Sequence, residues 1–220
     1  MKIAIIGATS AVGEQVARRY AQNGATLLIT GRDPAALKRI AADLELRGAK
    51  QVEAVPLSLV PGEPPHEAVT AIHAFAPYHL LICPGSLPDQ DRAWEDPDYA
   101  AAELWLNGAA IIDLINRLLA GRPVDEPLTL GVISSVAGDR GRATNGLYGA
   151  AKAALSTYLS ALRQRYHGSP VRIVTIKPGM IDTPMTAGLP PSPLMAPPER
   201  VARDIERAMQ RGTPVVYTPW

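Results

Sequence analysis

Two apolar rhythms alternate along this chain. Short runs rich in β-branched residues or leucine stand at Lys2–Ile6, Ala25–Thr30, Gln51–Leu57, His79–Cys83, Leu128–Ser134, Val171–Lys177 and Pro214–Thr218. Each is bounded by Gly, Pro or Ser, and several are apolar at nearly every position. That pattern predicts strands buried on both faces, as in a parallel sheet covered by helices. Between them the spacing turns helical. Ala11–Gln22 puts Val12, Val16 and Tyr20 on one face, and Pro65–Phe75 carries Val69, Ile72 and Phe75. Asp33 precedes Pro34–Leu46 as an N-cap, with proline at the first helical position. Asp98–Leu119 and Leu147–Tyr166 are the longest predicted helices, and Pro198–Arg211 ends at Gly212. Strict alternation of strand and helix predicts an α/β fold: a Rossmann-type, doubly wound parallel sheet of about seven strands with helices on both faces and right-handed crossovers.

Length and charge narrow the classes. The 220 residues compare with a prior of roughly 150 per domain, and no linker or repeat divides them, so a single domain is expected. A net charge of +1 argues against a nucleic-acid partner. No apolar run reaches the length of a membrane span, and the N-terminal run is too short for a signal peptide. A soluble, cytoplasmic protein is expected, membrane-peripheral if its substrate is lipid-linked. Cys83 is the only cysteine, so no internal disulfide can form, and it reads as a buried strand end. His66, His73, His79 and His167 lack metal-ligand spacing, and no metal is expected. Proline, 21 residues, clusters at Pro61–Pro65 and Pro184–Pro198, and both stretches read as loops.

Three local patterns carry chemistry. The first strand runs into Gly7-Ala8-Thr9-Ser10-Ala11-Val12-Gly13 and then a helix. Small residues there let backbone N–H groups and a helix N-terminus approach a pyrophosphate, although such a turn is also a common way to leave a strand. Arg32, at the end of the second strand, suits a ribose 2′-phosphate and points to NADP(H). NAD(H) is the alternative if Asp33 faces the ribose instead of capping the next helix. Finally, Tyr148 and Lys152 are spaced i, i+4, which places a phenol and an ammonium on one helix face. A neighbouring cation should lower the phenol pKa, and such a pair can protonate an alkoxide as a carbonyl is reduced. Ser135 ends a strand thirteen residues upstream, at the sheet edge where open α/β folds bind ligands.

These pieces together resemble the single-domain short-chain dehydrogenase/reductase family. The resemblance runs from Gly7 to Tyr217 through the glycine turn, Asn107, Ser134-Ser135-Val136-Ala137-Gly138, Tyr148 to Lys152, and Lys177-Pro178-Gly179-Met180-Ile181-Asp182-Thr183. It implies an NADP-dependent enzyme reducing a small-molecule ketone to a secondary alcohol. Tyr148 matches the general acid and Lys152 the residue that tunes it and binds the nicotinamide ribose. Ser135 matches the hydroxyl that polarises the carbonyl, and Asn107 the asparagine that holds a relay water. Gly7, Thr9, Ser10, Ala11, Val12, Gly13, Arg32, Ser58, Leu59, Pro84, Gly85, Pro178, Gly179, Ile181 and Thr183 match cofactor-binding positions. The chain departs from the family pattern at Ala11, at Ser58, and at Ile82-Cys83-Pro84-Gly85, where only the glycine is retained. Those departures motivate the rival reading, a catalytically weak NADP(H)-binding sensor or scaffold.

Ser134–Arg142 and Asp182–Pro190 resemble a subgroup that includes the reductase of decaprenyl-phosphate-linked 2-keto-pentoses, which suggests a keto-sugar or lipid-linked sugar. Arg140 and Arg142 would then meet a phosphate, or are solvated loop arginines. The segment 180–198 carries Met185, Leu189, Leu194 and Met195, and reads either as a substrate lid or as a packed surface loop. A homodimer or homotetramer through the two longest helices is the family expectation.

Overall fold

The computed structural model describes residues 1–123, 125–188 and 192–219. Seven strands form one all-parallel sheet: β1 (Lys2–Ile6), β2 (Thr26–Gly31), β3 (Gln51–Pro56), β4 (His79–Ile82), β5 (Leu128–Ile133), β6 (Val171–Pro178) and β7 (Val215–Thr218). Their spatial order is β3-β2-β1-β4-β5-β6-β7. The order reverses between β1 and β4, which pair from Ile3↔His79 to Ile6↔Ile82. Ligands of open α/β sheets bind outside the carboxyl ends of strands at such a reversal. The predicted strands are all present, with no end displaced by more than one residue.

The helices are α1 (Ala11–Gln22), α2 (Pro34–Leu46), α3 (His66–Phe75), α4 (Gln90–Glu95), α5 (Pro97–Leu104), α6 (Ala110–Leu119), α7 (Gly146–Arg165) and α8 (Pro198–Arg211). They cover both faces. Val16, Tyr20, Leu37, Leu44, Val201, Ile205 and Met209, from α1, α2 and α8, join one core layer. Ile72, Phe75, Ile111, Leu114, Leu155 and Leu159, from α3, α6 and α7, join the other. Each fully buried aliphatic side chain contributes about 1.5–3 kcal/mol of transfer free energy. Far from the sheet's carboxyl edge, Tyr20 is fully buried and its hydroxyl hydrogen-bonds His79 Nδ1 at 2.7 Å.

The stretch expected as one helix over Asp98–Leu119 is interrupted. Trp105–Ala109 form a π-helical turn between α5 and α6. Asn107 sits within it, and its side chain takes the carbonyl of Glu103 at 3.1 Å. A side chain competing for the i−4 carbonyl loosens the regular ladder, and π-turns concentrate at functional sites. The short helix α4 has no counterpart in the sequence reading. Asp89 caps it, accepting from the N–H of Arg92, and Asp96 caps α5 by accepting from Tyr99.

Candidate active site

β1 delivers the chain into the glycine turn at the reversal point. The N–H groups of Gly7 and Ala8 both donate to the Thr30 carbonyl, at 3.1 and 2.9 Å, which ties the turn to β2. Gly7 has φ +81°, and a Cβ there would stand 3.0 Å from Pro84 N. Only glycine meets both conditions at low cost. Ser10 caps α1 by accepting from Gly13 N at 3.0 Å. The N–H groups of Thr9, Ala11 and Val12 enter none of the backbone bonds outside helices and strands among the described residues. They stand at a helix N-terminus, where the dipole favours an anion.

Arg32 is exposed directly after β2, beside this turn, because Gly31 packs on Thr9. Asp33 is committed to capping α2, accepting from Ala35 N at 2.8 Å and Ala36 N at 3.2 Å. Asp33 Oδ1 is therefore engaged at the helix end, while Arg32 enters none of the ion pairs among the described residues. Ser58 is exposed on a cleft lined by Pro56, Val60, Pro65 and His66 at the start of α3. Leu59 packs into the second core layer. The neighbouring Leu57 N donates to Gly31 O at 2.9 Å, which ties the start of this segment to the end of β2.

The remaining expected residues converge around α7. Lys152 is buried, with 2% of its surface exposed, and Nζ donates to the Ile133 carbonyl at 3.3 Å. It lies 5.5 Å from the Tyr148 ring centroid. Burial pulls the Lys152 ammonium down to about 8. None of the ion pairs among the described residues includes it. Tyr148 departs from the expectation of a lowered pKa. Burial raises its phenol above the ordinary value, and the hydrogen bond with Ser135 only opposes that rise. Desolvation penalises the phenolate more than the hydrogen bond with Ser135 favours it.

Ser135 opens a 3₁₀ turn, Val136–Asp139, and its hydroxyl accepts from Ala137 N at 3.1 Å. That turn lies hard against α7. A Cβ on Gly138 would meet Lys152 C and Ala153 N at 2.7 Å, and one on Gly149 would meet Ala137 O at 2.7 Å. Two glycines thus let the Ser135 turn and the Tyr148 helix touch backbone to backbone. Ser134, fully enclosed, fastens the same contact by donating to the Lys152 carbonyl at 2.9 Å.

Asn107 stands on the opposite side of Lys152. A Cβ on Gly85 would lie 3.1 Å from Asn107 Oδ1 and 3.5 Å from Lys152 Nζ, so this glycine leaves open a narrow space between amide and ammonium. The Asn107 amide is fixed on all sides: Oδ1 accepts from Ser86 N at 3.0 Å, and Nδ2 donates to Ser86 Oγ at 2.9 Å and to Glu103 Oε2 at 3.1 Å. Ser86 in turn donates to Glu103. Sequence reasoning missed Ser86 and Glu103. Glu103 lies one helical turn before Asn107, which is the one signal that could have found it.

The far side of the site comes from β6. Gly179 N donates to Thr218 O at 2.8 Å. Ile181 bridges Ala196, and Thr183 caps a 3₁₀ turn at Pro184–Thr186. Met185 and Leu194 are exposed, whereas Leu189 and Pro190 lie outside the described residues. Arg140 and Arg142 are exposed. Cys83 is buried, and burial pushes its thiol well above the ordinary value, as befits an inert strand end. Among the described residues, no cluster of three His, Cys, Asp or Glu could hold a metal, and no helix is long and apolar enough to cross a membrane.

Comparison with known proteins bears on this arrangement. Residues 130–193, which include Ser135, Tyr148 and Lys152, match the short chain dehydrogenase family. An uncharacterized oxidoreductase of Mycobacterium tuberculosis is 36% identical over 99% of this chain and 88% of its own. Among solved structures, a short chain dehydrogenase of Shigella flexneri complexed with NADP aligns with TM-score 0.87 and 23% identity, over 98% of this chain and 95% of the other. An actinorhodin polyketide ketoreductase with NADPH aligns with TM-score 0.85 and 18% identity, over 99% and 95%. The identity to the mycobacterial relative, sustained from one end of the chain to the other, makes this protein a member of the short-chain dehydrogenase family.

Proposed function

We propose that this chain is an NADP(H)-dependent carbonyl reductase that converts a ketone to a secondary alcohol. The observation that carries the reading is the convergence of Ser135, Tyr148, Lys152 and Asn107 at the carboxyl edge of β5, beside the glycine turn. The NADP and NADPH held by the two structural neighbours support the cofactor. The residues fit such a group. Among the described residues the N–H groups of Thr9, Ala11 and Val12 at the start of α1 donate to no loop or turn carbonyl, Asp33 Oδ1 is held at the start of α2 while exposed Arg32 stands beside it, and Gly85 keeps a space beside Lys152 that a side chain would fill.

Gly7 to Gly13 would hold the pyrophosphate, Arg32 the 2′-phosphate, and Lys152 the nicotinamide ribose, with Pro178, Gly179, Ile181 and Thr183 beside the nicotinamide. The bound cofactor supplies a hydride. The chain's own residues supply the proton and the geometry. Tyr148, kept protonated by its burial, donates its phenolic proton to the substrate oxygen. Ser135 hydrogen-bonds the same oxygen and stabilises charge as it develops there. Lys152 returns a proton towards Tyr148, and its lowered pKa lets it exchange that proton near neutrality. Asn107, locked by Ser86 and Glu103, presents Oδ1 to a relay water beside the ammonium.

NADPH consumption over a panel of ketones, starting with ketosugars and polyprenyl-linked analogues, tests the reading. Tyr148→Phe should cut turnover by about 10²–10⁴-fold and spare NADPH binding. A fully active variant would overturn the assignment of Tyr148. NADPH binding with no reduction of any ketone would favour the sensor or scaffold reading that the departures at Ser58 and Ile82–Gly85 motivate. Light scattering tests the expected dimer or tetramer.

A further inference from the structure

In the reduction proposed above, each turnover draws one proton out of Lys152, and that proton has to be replaced. The ammonium is enclosed, so a proton reaches it only through neighbouring groups. On one side Nζ meets the Ile133 carbonyl, which has no proton to give. On the other lies the space beside Gly85, an exposed residue. Asn107 Oδ1 borders that space, and its amide is held by more acceptors than it can use. Nδ2 carries two hydrogens. The Glu103 backbone carbonyl at 3.1 Å and Ser86 Oγ at 2.9 Å already take both. The Glu103 carboxylate, also 3.1 Å away through Oε2, is surplus to fixing the amide. What it adds is a bond to the Ser86 hydroxyl, which donates to the same Oε2. Asn107 is 1% exposed, whereas Ser86 and Glu103 are half-buried, so the cluster runs outward from Lys152 towards water. Glu103 enters none of the ion pairs among the described residues.

We propose that Glu103 and Ser86 form the outer end of the proton path that reloads Lys152. The inference rests on the reductase reading and assigns it two residues that act through Lys152 without touching the substrate. Glu103 takes a proton from solvent and becomes neutral. Its bond with Ser86 then reverses, because a protonated carboxyl donates where a carboxylate accepts, and a hydroxyl can do either. As Ser86 receives that proton it gives its own to water beside Gly85. The water gives one to the neutral Lys152 amine, which had passed its proton to Tyr148. Glu103 is again a carboxylate, and one solvent proton has replaced the one that left with the alcohol. Asn107 takes no part in the transfer and holds the water in line.

The test separates proton uptake from hydride transfer. The full-length protein with NADPH is mixed with a reducible ketone at pH 7, in weak buffer with an indicator dye. Loss of NADPH absorbance follows the hydride, and the dye follows the proton drawn from solvent. In the wild type the two should keep pace. Glu103→Gln keeps an oxygen for Asn107 and Ser86 to bond but cannot carry a proton, so uptake should lag hydride transfer by about tenfold or more. Ser86→Ala should show the same lag, and added imidazole should shorten the lag of Glu103→Gln. A second readout needs no turnover: in the cofactor-free protein, the Lys152 ammonium hydrogens, followed by NMR, should exchange with water about tenfold more slowly in Glu103→Gln. Uptake that keeps pace in Glu103→Gln would overturn the proposal. So would hydride transfer and uptake slowing together, because the carboxylate would then only hold Asn107 in place. Ammonium exchange at the wild-type rate would overturn it as well. If the wild type reduces no ketone of the panel, the reductase reading fails, and the exchange experiment still decides whether Glu103 opens a proton path to Lys152.

Discussion

Replacing Lys152 by methionine should change how stability depends on pH. The ammonium is almost fully enclosed and pairs with no carboxylate among the described residues, and burial brings it down to about 8 from an ordinary value of 10.5. Between those two pH values the unfolded chain holds a proton that the folded chain has released. Stability must therefore rise with pH across that window. Below about pH 8 the cost of the buried charge is fully present, and above about 10.5 it has gone. The shift corresponds to about 3 kcal/mol at roughly 1.4 kcal/mol per unit. The assay is urea unfolding of the cofactor-free protein at intervals from pH 7 to 10.5, for wild type and Lys152→Met. The stability difference between the two should shrink in the variant's disfavour by about 3 kcal/mol over the window. Other titrating groups are common to both proteins and cancel. Parallel curves would refute the reasoning, because they would mean that Lys152 titrates alike in the folded and unfolded chains.

Three further outcomes are expected. Gly138→Ala forces a methyl to within 2.7 Å of the α7 backbone, so it should cost about 1–3 kcal/mol and move Ser135 away from Tyr148; a calorimetric Tm equal to wild type would contradict that packing. His79 shares a buried hydrogen bond with the Tyr20 hydroxyl and burial lowers its pKa, so folding stability should fall as pH drops below about 6.5, the ordinary histidine value. His79→Phe should flatten that limb of a pH–Tm series, and an unchanged limb would assign acid sensitivity elsewhere. Arg32→Ala should weaken NADPH at least tenfold in calorimetric titration and leave NADH unaffected, about 1.4 kcal/mol of selective binding, whereas equal loss of both would remove Arg32 from the 2′-phosphate.

Much of this was legible in the sequence, because the decisive signals are local. The strands of the central sheet announce themselves as short apolar runs, and Tyr148 with Lys152 needs only helical spacing. The glycine turn needs only small residues between a strand and a helix. What the sequence hides is long-range. Gln90 and Leu147 meet across fifty-seven positions, and nothing in either neighbourhood advertises the pairing. The π-turn at Trp105–Ala109 keeps its apolar character, so periodicity alone reads straight through it. The pKa of Tyr148 was misjudged for a related reason. Spacing shows that a cation is near, but only the packing shows how little water remains to stabilise a phenolate.

The loop after β6 is fastened where it begins and ends. Ile181 bridges Ala196, Asp182 N donates to Ala196 O at 2.9 Å, and Ala196 N donates to Met180 O at 3.1 Å. These contacts close the loop at its base, next to the end of β6. Lengthening it would cost little, since each doubling of a closed loop adds only about 0.6 kcal/mol of entropy. Loops of different length and composition could be exchanged between these two clasps, changing what meets the substrate without unsettling the sheet that holds Tyr148 and Lys152.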